Sequence, residues 1–251
     1  MIKIRIADIE YNIPSGYDDV KLSDYENWFG SEIITKEDEV TFVSKVSGIE
    51  LNTLQSLPLS FYNDLVGIIS FSLKDTIKEV KNSIEIDGVK YTINNEEELT
   101  LAEWIDVEES LKSESDKLSK ILAVVCRPIG EAYDTNRLAD RIELFKGLTM
   151  DKLFPLFNFF FALKRKIQSD YEPLFNGGGT SKPTSPTYRD FSKKWGWYKV
   201  VAQLANHDIQ QMDNIFTLGV IEVFNFLSFQ VDKQNAEEAN KKFLEQLRNN
   251  K

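Results

Sequence analysis

The sequence predicts an α+β protein that is mainly α, with two β-hairpin-plus-helix units, repeated helical hairpins and a helical C-terminal segment. Two observations lead to this fold class. A pattern of a hairpin followed by a helix start occurs twice, about 80 residues apart. Apolar residues then recur at intervals of three and four along most of the remaining chain. With 42% hydrophobic and 28% charged residues, the composition is that of an ordinary globular protein.

The two hairpin copies cover residues 4–25 and 84–104. In each copy, alternating isoleucines form one face of a short strand, a tight turn follows, and the return strand carries a tyrosine and an isoleucine. Asp87-Gly88 in the second copy is a strong signal for a two-residue hairpin turn. Thr100 and Glu103 have the spacing of a capping box, which predicts that a helix begins there.

A second pattern, found about three times, consists of a helix, a short helix, a sharp break and a hydrophobic helix. It covers residues 43–71, 118–163 and 200–229. Its apolar residues fall on one helical face. Pro58 lies where the last helix of the first copy would begin, and Arg127-Pro128 is expected to stop the helix that contains Cys126.

These patterns divide the chain into four parts. Residues 1–83 form a first repeat of hairpin plus helices, and residues 84–175 form a second. Residues 176–186, which include Gly177-Gly178-Gly179 and no apolar residue, are expected to form a flexible linker. Residues 187–251 are predicted to be a helical C-terminal extension.

Charge limits the classes of partner. The net charge is −10, and such a chain repels phosphate, so we expect neither nucleic-acid nor membrane binding. The best candidate for a local basic patch is Lys193 and Lys194 beside Trp195 and Trp197. The most apolar run, residues 153–163, has about half of the ~20 residues that a membrane span needs and is expected to be a buried helix. The N-terminus does not resemble a signal peptide, so we expect a cytoplasmic protein.

Residues suited to catalysis or metal binding are few. Cys126 and His207 are the only residues of their kinds, whereas a zinc site needs about four such ligands. Cys126 lies in an apolar run and is expected to be a buried thiol, and His207 is expected at a helix cap or turn. The three glycines 177–179 lack the Gly-Lys-Ser/Thr of a phosphate loop. We therefore predict no catalytic, cofactor-binding or metal-binding residues, no cofactor and no enzyme activity.

Aromatic residues provide the remaining functional signal. One group lies in the phenylalanine-rich helix, and the other opens the C-terminal segment. Each group is expected either to anchor the core or to contact a partner, because aromatic side chains dominate both environments. The core role is favoured for the tryptophan motif. The candidate partner-binding residues are Phe154, Phe157, Phe160, Phe161, Trp195, Trp197 and Tyr198.

Three stretches resemble phage and prophage proteins of Bacteroidetes-type bacteria. They are the opening Ile-Lys-Ile-Arg-Ile with its later Tyr-Asn-Ile-Pro, the helix start Leu-Thr-Leu-Ala-Glu-Trp-Ile-Asp, and Trp-Gly-Trp-Tyr followed by Leu-Ala. The helical layout over most of the chain is similar to that of phage tail assembly chaperones. The resemblance implies a protein that binds the tape-measure protein in the infected cytoplasm, keeps its hydrophobic helices in solution and recruits tail-tube subunits. It also implies that residues 187–251 are an extension added by translational frameshifting.

Other functions are compatible with the same features. The main alternative is a structural component of the virion, such as a head, connector or tail subunit, and the partner can also be another copy of the chain. An acidic mimic of nucleic acid would need a stripe of carboxylates at phosphate spacing, which the sequence does not show.

Overall fold

The computed structural model describes residues 1–29, 34–73, 77–175 and 185–249. Within these ranges helices predominate and the strands form two small antiparallel sheets, which confirms the predicted fold class, α+β and mainly α. The chain divides into two compact units. Unit 1 comprises Met1–Ile93 and Asp106–Phe160, and unit 2 comprises Asn94–Ile105 and Phe161–Lys251.

These units do not follow the divisions expected from the sequence. The second hairpin packs within unit 1, whereas the helix start that follows it belongs to unit 2. Residues adjacent in sequence therefore belong to different units, and each unit combines two segments that are separated in sequence. Most of the expected linker, residues 176–184, lies outside the described residues. Its last two residues, Ser185 and Pro186, are the cap and the first residue of a helix.

Both predicted hairpins are present. Strand β1 (Ile2–Ile6) pairs with β2 (Ile9–Ile13), and β3 (Ser83–Ile86) pairs with β4 (Val89–Ile93). Asp87 and Gly88 connect β3 to β4 with φ angles of 50° and 78°. A two-residue hairpin turn of this kind requires positive φ at both positions, and glycine adopts such angles without a steric cost.

A short third strand, β5 (Cys126–Pro128), pairs with β4 and was not predicted. The expectation that Cys126 ends a helix is wrong by one residue, because the helix stops at Val125 and Cys126 begins the strand. Pro128 is compatible with this position because it lies at the end of the strand.

Nine of the twelve α-helices in the described residues fall in three triplets, α2–α4, α6–α8 and α10–α12, where the sequence predicts the repeated helical pattern. The α-helices of the described residues are α1 (Leu22–Trp28), α2 (Lys36–Ser47), α3 (Leu51–Ser56), α4 (Leu59–Ile69), α5 (Leu101–Lys112), α6 (Lys117–Val125), α7 (Leu138–Lys146), α8 (Met150–Asp170), α9 (Glu172–Phe175), α10 (Pro186–Leu204), α11 (Ile209–Thr217) and α12 (Val220–Asn249).

Side chains fix where several of these helices begin. Thr100 and Glu103 form the predicted capping box: the Thr100 amide donates to Glu103 Oε2 at 2.9 Å, and the Glu103 amide donates to Thr100 Oγ1 at 3.3 Å. Helix α6 is capped by a residue distant in sequence. Glu26 accepts hydrogen bonds from the amides of Leu118 and Ser119 at 2.6 and 3.0 Å, which places a negative charge at the positive end of the helix.

Backbone bridges connect each hairpin copy to a later helical triplet. We call the residues that lead from a hairpin into its helix corner 1 (residues 20–22) and corner 2 (residues 99–101). We call the three residues that lead into the last helix of each triplet, the third being the first residue of that helix, break 1 (57–59), break 2 (148–150) and break 3 (218–220). In unit 1, corner 1 pairs with break 2 through the Lys21–Thr149 bridge. In unit 2, corner 2 pairs with break 3 through the Thr100–Gly219 bridge.

The two bridges have the same hydrogen bonds. In the first, the Leu22 amide donates to the Leu148 carbonyl at 2.9 Å and the Met150 amide donates to the Val20 carbonyl at 2.8 Å. In the second, the Leu101 amide donates to the Leu218 carbonyl and the Val220 amide donates to the Leu99 carbonyl, both at 2.8 Å. In each bridge the hydrogen bonds hold the apolar residues that flank the bridged pair. In unit 1, for example, Leu22 and Met150 are fully buried. The internal similarity seen in the sequence is therefore a similarity of packing.

Candidate partner-binding surface

The phenylalanine-rich helix is mainly part of the core. Phe157 and Phe160 on α8 are 3% and 1% exposed, so the structure removes both from the surface that a partner can contact. Phe154 is half-buried and packs edge-on against Tyr17, with ring centroids 4.6 Å apart. Phe161 is also half-buried. Periodicity placed these rings on one helix but did not show that the chain itself covers that face.

The tryptophan motif of α10 divides between core and surface. Trp197 stacks on Phe224 of α12 with centroids 6.1 Å apart and an interplanar angle of 15°. Phe224 also contacts Trp104 and Phe175, so the half-buried Trp197 packs against an aromatic cluster of unit 2. Trp195, by contrast, is 41% exposed. The sequence favoured a core role for the whole motif, but only Trp197 packs inward, half-buried against Phe224, whereas Trp195 and Tyr198 are 41% and 50% exposed.

Exposed rings on α10 form a continuous row. Tyr188, Phe191, Trp195 and Tyr198 are 48%, 46%, 41% and 50% exposed, and successive ring centroids lie 6.2, 6.5 and 5.4 Å apart. We call these four residues the aromatic ladder. Tyr188 and Phe191 were missed in the sequence, although their spacing to Trp195 and Tyr198, in steps of three, four and three, is the signal of one helical face.

The helix that carries the ladder, α10, is positively charged in an otherwise acidic chain. Helix α10 contains four basic residues and one acidic residue, so its net charge is +3, against −10 for the whole chain. Lys194 Nζ lies 5.2 Å from the centre of the Trp195 ring, and Lys199 Nζ lies 4.7 Å from that of Tyr188. Lys199 also donates to the Tyr188 hydroxyl at 2.9 Å, and this hydrogen bond lowers the pKa of Tyr188. Cations above these rings add a polar, positively charged rim to the ladder.

A kink lies within the ladder. Gly196 has φ 42° and ψ −122°, which is not helical, and it divides α10 between Trp195 and Trp197. Only glycine adopts positive φ readily, so the residue type allows the bend. The bend separates two neighbouring tryptophans: Trp195 remains at the surface and Trp197 packs on Phe224.

Cys126 and His207, the two residues considered for chemistry, lie in the core and in a turn. Cys126 is completely buried, and burial raises the pKa of its thiol to about 12. His207 lies between α10 and α11 with φ 62°, at the turn expected from the sequence. Among the residues that the structure describes, no group of three His, Cys, Asp or Glu side chains converges as a metal site requires.

One cleft in unit 1 is large enough to hold a small molecule. It is an open groove of about 980 Å³ between residues 79–85 and the N-terminal half of α8. Asp151 Oδ1 at its wall is buried without a hydrogen bond. Lys81 and Glu79 form an ion pair of 2.8 Å, but each side chain is more than half exposed, so water screens the pair. The aromatic ladder is therefore a more distinctive candidate binding surface than this cleft.

Comparisons with known proteins give no match: no family model fits the chain, and no curated protein or solved structure is significantly similar to it. In the described part of the chain, none of the helices combines the length and the apolar character needed to cross a bilayer.

Proposed function

We propose that this chain is a non-enzymatic protein that binds another polypeptide through the aromatic ladder, as a phage tail assembly chaperone holding the tape-measure and tail-tube proteins. The observation that supports the proposal is the ladder itself. Four large rings, each more than 40% exposed, lie side by side on one helix. Contiguous exposed aromatic surface typically marks a protein-binding site, because covering it removes apolar area from water.

The chemistry of the ladder indicates what the partner offers. Its rings suit an apolar helical face, and the neighbouring Lys194 and Lys199 suit acidic or polar groups at the edge of that face. Long hydrophobic helices of a tape-measure protein have such apolar faces, and the resemblance described above supplies this identity for the partner.

Charge on the rest of the chain supports a holding function. Since the whole chain carries −10 and α10 carries +3, the other residues together carry −13. A protein that covers the hydrophobic helices of another must itself resist association, and mutual repulsion between such acidic surfaces opposes aggregation of the complexes.

Co-expression with the tape-measure protein tests the proposal. The double variant Trp195→Ser and Tyr198→Ser removes half of the ladder, and Phe243→Ser removes a 57% exposed ring elsewhere, on α12. We expect the wild-type chain and the Phe243 variant to keep the tape-measure protein in the soluble fraction. We expect the double variant to lose most of this effect while its own yield and circular dichroism are unchanged. Equal activity of all three chains would refute the proposal.

Two further measurements separate the proposal from its alternatives. A chaperone is absent from mature particles, whereas a structural subunit is present at a fixed ratio to the tail-tube protein, and quantitative mass spectrometry of purified virions distinguishes them. A ladder that stacks bases would bind single-stranded DNA with a steep dependence on salt. We expect no binding of a labelled oligonucleotide at physiological salt.

A further inference from the structure

Residues 1–29, 34–73, 77–175 and 185–249, which the structure describes, contain three breaks but only two corners. Corner 1 covers break 2 and corner 2 covers break 3, each through a two-bond bridge. Break 1 belongs to the first triplet, α2–α4, and no such bridge reaches it within the described residues. The repeat therefore predicts a binding position that the described parts of the chain leave uncovered.

Exposure shows the difference at equivalent positions. Met150 and Val220, the last residues of breaks 2 and 3, are both 0% exposed. Leu59, the last residue of break 1, is 73% exposed. One turn later, Leu153 and Val223 are buried, whereas the equivalent Tyr62 is only half-buried. The apolar surface that a corner covers in two triplets is open to water in the first.

The backbone of break 1 has what a bridge requires. In both existing bridges, the break contributes the carbonyl of its first residue and the amide of its third, and its central residue makes neither bond. Pro58 occupies that central position in break 1, and its lack of an N–H group does not matter there. Leu57 can offer the carbonyl and Leu59 the amide, as Leu148 and Met150 do in break 2.

A second folded copy of the chain does not offer a suitable corner. In the described residues, both corners are engaged in their own units, with Val20, Leu22, Leu99 and Leu101 all at most 2% exposed. The occupant must therefore come from a different polypeptide. Charge also restricts the chemistry of the occupant. Residues 34–73 contain five acidic and two basic residues, a net charge of −3, so a neutral or basic segment is favoured at break 1.

We propose that break 1 is a docking site for a corner of another polypeptide: two apolar residues on either side of a central one, leading into a helix, with neutral or basic flanks. The partner donates one backbone amide to Leu57 and accepts one from Leu59, and its two apolar side chains cover Leu59 and Tyr62. The site does not involve α10, so it stands or fails independently of the function proposed above.

A peptide based on corner 1 tests the site. The probe copies residues 17–28 with Asp18, Asp19 and Asp24 replaced by Asn and Glu26 by Gln, which leaves a net charge of +1 from Lys21. It carries a neutral rhodamine dye and is titrated with the full chain at low salt while fluorescence anisotropy is measured. We expect saturable binding. The unaltered acidic peptide is expected to bind more weakly, with a smaller difference at high salt.

Two protein variants locate the binding. Leu59→Asp places a carboxylate at the exposed position and is expected to weaken probe binding roughly tenfold or more, without changing the thermal midpoint. Leu244→Asp, at a 48% exposed leucine of α12, is the matched control and is expected to bind as the wild type does. If Leu59→Asp bound the probe normally, the peptide would be exchanging into break 2 or binding elsewhere, and the proposal would be wrong.

Backbone methylation of the probe tests the bridge itself. The residue equivalent to Leu22 donates its amide in the observed bridge, whereas the amide at the Lys21 position does not. N-methylation of the probe at the Leu22 position should abolish binding, and N-methylation at the Lys21 position should leave most of the binding. Equal effects of the two modifications, no saturation by the unmodified probe, or a Leu59-dependent dimer of the chain that excludes the probe would each overturn the proposal.

Discussion

Replacing the equivalent residues of break 1 and break 2 by alanine provides an internally controlled test of the repeat. Met150 is fully buried and Leu59 is 73% exposed, although both are the first residue of the last helix in their triplet. Met150→Ala removes the buried Cγ, Sδ and Cε atoms and leaves a cavity, which typically costs about 2–5 kcal/mol. Leu59→Ala changes a solvated side chain and should alter the free energy of unfolding by about 0.5 kcal/mol or less.

Urea unfolding followed by circular dichroism measures both effects. With a slope of about 2 kcal/mol per molar urea, Met150→Ala is expected to lower the unfolding midpoint by about 1–2.5 M, and Leu59→Ala by no more than about 0.3 M. The two variants should have similar slopes. If Leu59→Ala destabilised the protein as much as Met150→Ala, break 1 would already be covered and the reasoning from the repeat would fail.

Three other properties follow from the described contacts. The Cys126 thiol, whose pKa burial raises to about 12, should react with Ellman's reagent only as fast as the protein unfolds; rapid reaction at pH 8 in native buffer would contradict its burial. Burial and the nearby Glu39 raise the pKa of Tyr62 to about 12, so its contribution to stability is complete below the unfolded pKa of about 10 and is lost as pH rises through about 12. Absorbance titration at 295 nm, with Tyr62→Phe as the reference, should show Glu39→Gln lowering that pKa without restoring it to 10. Glu26→Gln should weaken the cap of α6 and cost about 1–2 kcal/mol in urea unfolding, whereas the exposed Glu109→Gln should cost almost nothing.

Local patterns in the sequence were sufficient to predict most of the elements. The hairpin at Asp87-Gly88 and the capping box at Thr100 depend on residues within a few positions of one another, so their signals are complete in the sequence. Strand β5 was missed because it has three residues, one of them a proline, and exists through its pairing with β4. The bridges between corners and breaks were missed for the same reason: they join residues more than 100 positions apart.

The candidate surface was only partly predictable. Helical spacing identified apolar faces but not which of them the chain covers, so Phe157 and Phe160 were considered alongside Trp195 and Tyr198. The fold buries the first two and exposes the second two. Exposure depends on the tertiary contacts of the whole helix, which periodicity does not contain. The predicted absence of catalytic and cofactor-binding residues, the partners and the cytoplasmic location stay predictions.

Hydrogen exchange of the chain with and without the tape-measure protein tests the central claim most directly. We expect the partner to slow exchange of backbone amides in α10, with the largest protection around Phe191 and Trp195, and to leave exchange in the sheet of β3, β4 and β5 unchanged. A stable complex in which α10 exchanges as fast as in the free chain would contradict the assignment of the aromatic ladder as the surface that holds other polypeptides.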